Sequence, residues 1–101
     1  MINFENLGYK DITKVFPIYI SEYFGETFEI LYPYEQRFYK KDDDITTILN
    51  VGIHNNTVDI AGICYRYNKW NKFKIHTHSK LAEEEFNKTI NIVINNLKNE
   101  L

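Results

Sequence analysis

From Ile45 to His78 apolar residues recur with a period of two, and a chain written this way must pair into an antiparallel sheet with one buried face. Ile45, Leu49, Val51 and Ile53 occupy odd positions before the dipeptide Asn55-Asn56, and Val58, Ile60 and Cys64 occupy even positions after it. Asparagine tolerates the positive backbone angles of a tight hairpin turn. A turn there sets Ile53 opposite Val58 and Val51 opposite Ile60, so both apolar sets fall on one face. A slip of one residue would turn either set to solvent, and this fixes the register.

The alternation continues in both directions. Between Phe28 and Phe38, the even positions Phe28, Ile30, Tyr32, Tyr34 and Phe38 alternate with Glu29, Pro33, Glu35 and Arg37. Pro33 cannot donate to a ladder, which marks this as an edge strand. Pairing it with the next strand predicts Ile30 opposite Ile53 and Tyr34 opposite Leu49, across a charged loop at Lys40-Lys41-Asp42-Asp43-Asp44. That loop lacks the alternating acids and distant glutamate of a calcium loop and reads as a solvated turn. On the other side, Cys64 is expected opposite Ile75 and Arg66 opposite Phe73.

Helical spacing brackets the strands. Ile12, Val15, Phe16, Tyr19, Ile20 and Tyr23 predict a helix from Lys10 to Phe24, kinked at Pro17 and stopped by Gly25. Ala82, Phe86, Ile90, Val93, Leu97 and Leu101 predict a second from Lys80 to Asn99, capped by Ser79 and begun by Glu83, Glu84 and Glu85. Ile92 lies off that stripe. Each helix has one apolar face, so both are expected on the apolar face of the sheet. The predicted fold is α+β: a two-layer sandwich, a four-stranded antiparallel meander with N- and C-terminal helices on one face, in the order α-β-β-β-β-α.

A chain of 101 residues with 44% hydrophobic content forms one domain, residues 1–101. The net charge of −2 gives no general attraction to nucleic acid or membranes. The single cysteine, Cys64, excludes an internal disulfide and reads as a buried hydrophobe. Without a charged-then-apolar leader or an apolar run long enough to span a bilayer, the chain is expected in a cytoplasm. Two Asn-x-Thr triplets, at Asn55 and Asn87, are then chance. Abundant Asn, Ile, Lys and Tyr suggest an A/T-rich bacterial, phage or plasmid genome.

With both helices on one face, the other sheet face is expected to be open. The register assigns it Glu29, Leu31, Glu35 and Arg37, then Thr46, Ile48, Asn50 and His54, then Asp59, Ile63, Tyr65 and Tyr67, and last Lys72, Lys74, His76 and His78. An apolar and aromatic centre with charged flanks is the organisation of an interface. Leu31, Ile48, Ile63, Tyr65, Tyr67, Lys72, Lys74 and His76 are its candidate residues. Charge is polarised too: residues 1–35 hold six acids and two bases, whereas residues 65–78 hold four bases and no acid. The competing account is a wet sheet face whose edge lysines discourage strand pairing.

Other chemistries are less supported. His76 and His78 with Asp59 could ligate zinc or iron, but exposed histidines at a strand end explain them as well. No phosphate loop, nucleophile elbow or Cys/His pair is present, so neither an enzyme nor a cofactor is expected. Tyr65, Tyr67 and Trp70 with Lys69, Lys72 and Lys74 combine stacking faces with phosphate partners, which makes single-stranded nucleic acid the alternative ligand. The expected function is non-enzymatic: a protein-protein interaction module acting through the open face, in the manner of a small inhibitor, an immunity protein or a phage or mobile-element accessory protein. The partner is another protein or a second copy of the chain.

Overall fold

A computed structural model describes residues 2–14 and 35–99 of the protein. Among these, five strands form one antiparallel sheet in sequence order: β1 (Lys10–Asp11), β2 (Glu35–Asp42), β3 (Ile45–His54), β4 (Thr57–Arg66) and β5 (Lys69–His78). A helix, α1 (Ala82–Asn99), follows and packs on one face. The α+β class stands, but the described elements are five strands and one helix.

The N-terminal helix expected from Lys10 is overturned where it can be read. Lys10 pairs with Tyr39 and Asp11 with Phe38, so the segment begins as a strand. Its end is set locally: the Asp11 carboxylate accepts bonds from the Thr13 amide at 2.9 Å and the Thr13 hydroxyl at 2.6 Å. Such a side-chain turn competes directly with a helical first turn. The rest of that expectation, Val15 to Phe24 with Pro17, lies outside the described residues, as do Gly25 and the strand positions Phe28 to Tyr34, including Leu31.

The central hairpin is paired as predicted, with Ile53 opposite Val58 and Val51 opposite Ile60. The two flanking hairpins keep the predicted faces but shift by four residues. Phe38, not Tyr34, faces Leu49; Phe73 faces Gly62, not Arg66; and Ile75 faces Ile60, not Cys64. The reason is turn chemistry. The acidic segment is not a five-residue loop, because β2 runs through Lys40, Lys41 and Asp42 and reverses at Asp43-Asp44, with Asp43 at φ 58°. Likewise Tyr67 and Asn68, at φ 48° and 62°, close β4 onto β5. Two consecutive positive angles match the twist of a two-residue hairpin.

Strand residues Phe38, Leu49, Val51, Ile60, Cys64, Phe73 and Ile75 meet Ala82, Phe86, Ile90, Val93 and Leu97 of α1 in one buried cluster. From Ala82 to Leu97 the helix stripe is therefore the predicted one, Leu101 lying outside the described residues, and Ile92 is exposed. Burying each large side chain contributes about 1.5–3 kcal/mol. Phe4 and Tyr9 join this core from the N-terminal turn, with the Phe4 ring 4.9 Å from Phe38 and 5.2 Å from Phe86. The helix starts later than a cap at Ser79 requires; the Ser79 amide instead donates to the Asn56 carbonyl at 2.7 Å, tying the helix entry to the central turn. No helix among the described residues is long and apolar enough to cross a membrane.

Candidate binding face

Ladder register orders the face opposite α1 into rows running from β2 to β5. The first is Lys41, Thr46, Tyr65 and Trp70, and the second is Tyr39, Ile48, Ile63 and Lys72. The third is Arg37, Asn50, Ala61 and Lys74, and the fourth is Glu35, Gly52, Asp59 and His76. His54, Thr57 and His78 end the sheet. Ile48 thus lies opposite Ile63 as expected, and Lys72, Lys74 and His76 project from the edge strand.

This face is not simply wet. Ile12, Arg37 and Ile63 are buried to 4%, 1% and 5% exposure, and Tyr39, Ile48 and Tyr65 pack against the Ile12 and Ile63 pair. β1 supplies part of the reason: the Ile12 amide donates to the Arg37 carbonyl at 2.9 Å, which sets Ile12 beside Arg37 on this side of the sheet. The Arg37 amide donates to the Thr13 hydroxyl at 2.9 Å. Burial lowers the pKa of the Arg37 guanidinium, while Glu35 opposes that shift. Ile63 therefore belongs to a second small core on this face.

Tyr67 also changes place. It sits in the β4–β5 turn, 70% exposed, with its hydroxyl beside the Asp44 carboxylate of the neighbouring turn. The Arg66 guanidinium lies over its ring at 4.9 Å from the centroid. Arg66 itself pairs with Asp44 at 2.9 Å and reaches the Leu97 and Lys98 carbonyls at 3.3 Å, closing the C-terminal end of α1. These bonds hold a bulky residue at a positive φ it rarely adopts. Tyr67 thus faces the helix side of the sheet end, away from Ile48.

The aromatic that does reach the candidate face is Trp70. It stands directly opposite Tyr65 and beside Lys72, on the edge strand, with 46% of its surface exposed. The Tyr65 hydroxyl donates to the Asn68 side chain at 2.9 Å, which orients the ring next to it. Trp70 was singled out from sequence only for the nucleic-acid alternative, and the expected register, Arg66 opposite Phe73, left it unpaired between the strands. The positive-φ preference of Asn68 was the signal that could have placed it.

Small residues shape the centre of the face. Ala61 leaves a hollow of about 250 Å³ whose lining includes Arg37, Asn50, Ile48, Ile63, Lys72 and Lys74. Asn50 and Arg37 were assigned to this face from sequence but not singled out; Ala61 between large neighbours was the legible clue. At the far corner the His76 ring pairs with Asp59, and both are exposed. No group of three metal-ligating side chains is assembled among the described residues. No family model, curated protein or solved structure matches the chain.

Proposed function

We propose that the protein is a non-enzymatic cytoplasmic binding module that docks another protein on the β4–β5 part of this face, with Trp70 as the anchor. The observation that carries the proposal is the half-exposed indole beside Tyr65, Ile48 and Lys72. Tryptophan and tyrosine flanked by cations dominate protein interfaces energetically, and an apolar centre with a polar rim excludes water around them. Lys72 and Lys74 on this face favour an acidic partner surface. A second copy fits less well at the strand edge: two β5 strands paired about Phe73 would set Lys72 against Lys74 of the copy, and opposed like charges destabilise a ladder. An inhibitor, immunity or mobile-element accessory protein is the kind of small module this reading describes.

The test is paired affinity capture with the unaltered protein and with Trp70→Ala, followed by titration of the purified partner. Binding that weakens at least about tenfold without a loss of stability supports the reading. A partner held equally by both proteins places the interface elsewhere. The same indole beside exposed lysines suits single-stranded nucleic acid, which a gel shift that collapses with added salt and with Lys72→Ala would reveal.

A further inference from the structure

We propose that the outer edge of β5 takes up a strand from the partner protein, an extended segment in which acidic and apolar residues alternate. The inference deepens the docking reading above and rests on it for the partner's being a protein. β5 ends the sheet, and no described strand pairs with its outer edge. The two-residue turn at Tyr67-Asn68 closes on Arg66 and Lys69, and in such a hairpin the closing pair exchanges both backbone bonds. Odd residues of β5 therefore bond to β4. The Ser79 amide keeps the same phase just beyond the strand, where it donates to the Asn56 carbonyl at 2.7 Å. The backbone amides and carbonyls of Trp70, Lys74 and His76 consequently point outward, and another strand is what completes donors and acceptors at that spacing.

The two sides of this edge specify the segment. On the open face stand the half-exposed Trp70 and the exposed Lys74. On the helix side, a hollow of about 410 Å³ separates the start of β5 from α1, and its lining includes Asn71, Val93, Asn96 and Asn99. Ile92, 61% exposed, lies one helical turn before Asn96 and so on the flank of α1 that borders this edge. A strand laid beside β5 sends alternate side chains to the two sides. Apolar residues on one side cover Ile92 and the wall at Val93, and acids on the other meet Lys74. β5 itself contains no acid, and a lysine opposite an acid stabilises a ladder that a lysine opposite a lysine weakens. The pattern that disfavours a second copy of β5 thus favours an acidic strand.

The experiment titrates the full chain with a synthetic peptide of seven residues alternating valine and glutamate, which at about 3.3 Å per residue lies along most of β5. Backbone amides are followed by NMR. Binding should saturate and slow hydrogen exchange at the Trp70, Lys74 and His76 amides by at least about tenfold, the worth of one hydrogen bond, while the Phe73 and Ile75 amides, already bonded to β4, change little. Lys74→Pro removes an outward amide where an edge strand tolerates proline and should abolish binding. Lys74→Gln keeps that amide and should weaken binding severalfold, as should Ile92→Lys. The same peptide with lysine in place of glutamate should not bind. Absence of saturation, equal binding of the lysine peptide, or saturable binding that leaves the outward amides unprotected overturns strand addition. Binding that is lost in Trp70→Ala yet never protects those amides would place the peptide on the open face, which sinks strand addition and spares the docking reading.

Discussion

The ring of Phe73 lies so close to Gly62 that a β-carbon at position 62 would come within 2.2 Å of the ring Cζ. These residues face one another across β4 and β5, and the Phe73 ring continues to Phe86 at a centroid distance of 6.4 Å. The missing side chain is therefore what lets β5 carry a phenylalanine into the core at this register. Gly62→Ala should destabilise the protein by about 1–3 kcal/mol, the usual range for overpacking, read from the denaturant midpoint. Phe73→Leu in the same background should recover part of that loss. Strictly additive losses would show that the ring is not the obstruction.

Asp44 joins two turns, and its ionisation should be visible in the acid stability of the fold. The neighbouring Tyr67 hydroxyl, together with the Arg66 guanidinium bonded at 2.9 Å, holds the Asp44 carboxyl below the usual aspartate range. A carboxyl whose folded pKa is depressed adds stability above its unfolded pKa of about 3.9 and loses it as pH falls through the lower folded value. Asp44→Asn should be less stable than the unaltered protein near neutrality, and the difference should shrink below about pH 4. Urea midpoints between neutral and acid pH measure this. A difference independent of pH would mean that the pair acts by shape alone.

Cys64 should be chemically silent in the folded protein. It is fully buried opposite the helix, burial pushes its thiol pKa up, and a 3.4 Å contact with the Thr47 hydroxyl only partly offsets that shift. Thiolate is the reactive form, so modification by a disulfide reagent at mildly alkaline pH should follow unfolding. Labelling should become faster in Gly62→Ala, by about tenfold for each ~1.4 kcal/mol of stability lost. Rapid labelling of the stable native protein would contradict the burial.

These residues also show what could be read without a structure. Faces were legible for the strand residues, though not for Tyr67 in its turn, because alternation survives any shift by an even number of residues. That is why Ile60, Cys64, Phe73 and Ile75 fell on the covered side despite a four-residue error in two hairpins. Register was legible only at Asn55-Asn56, where the turn residues are conventional. Asp43 and Tyr67 at positive φ are not, and each concealed a two-residue turn. The strand at Lys10–Asp11 was hidden because Ile12 fits a helical stripe equally well, and two residues carry too little pattern to choose. At the candidate site, exposed cations were placed correctly on the edge strand. Burial of Arg37 and Ile63 depends on what packs above the sheet, which strand periodicity does not encode.

The helix offers a sharper comparison, since Phe86 and Ile92 are large apolar residues of one element with opposite fates. Phe86 is 1% exposed, with ring contacts to Phe4, Tyr9 and Phe73, whereas Ile92 is 61% exposed. Phe86→Ala removes the shared centre of those contacts and leaves a cavity, at a cost of about 3–5 kcal/mol. Set against the 5–15 kcal/mol or so that holds a domain of this size together, the substitution should leave a marginal fold or none. Ile92→Lys should change stability by less than about 0.5 kcal/mol, because it exchanges one solvated side chain for another. Thermal unfolding followed by helix signal distinguishes the two. If Ile92→Lys also lost several kcal/mol, the solvent face of α1 would have to be an intermolecular contact in solution.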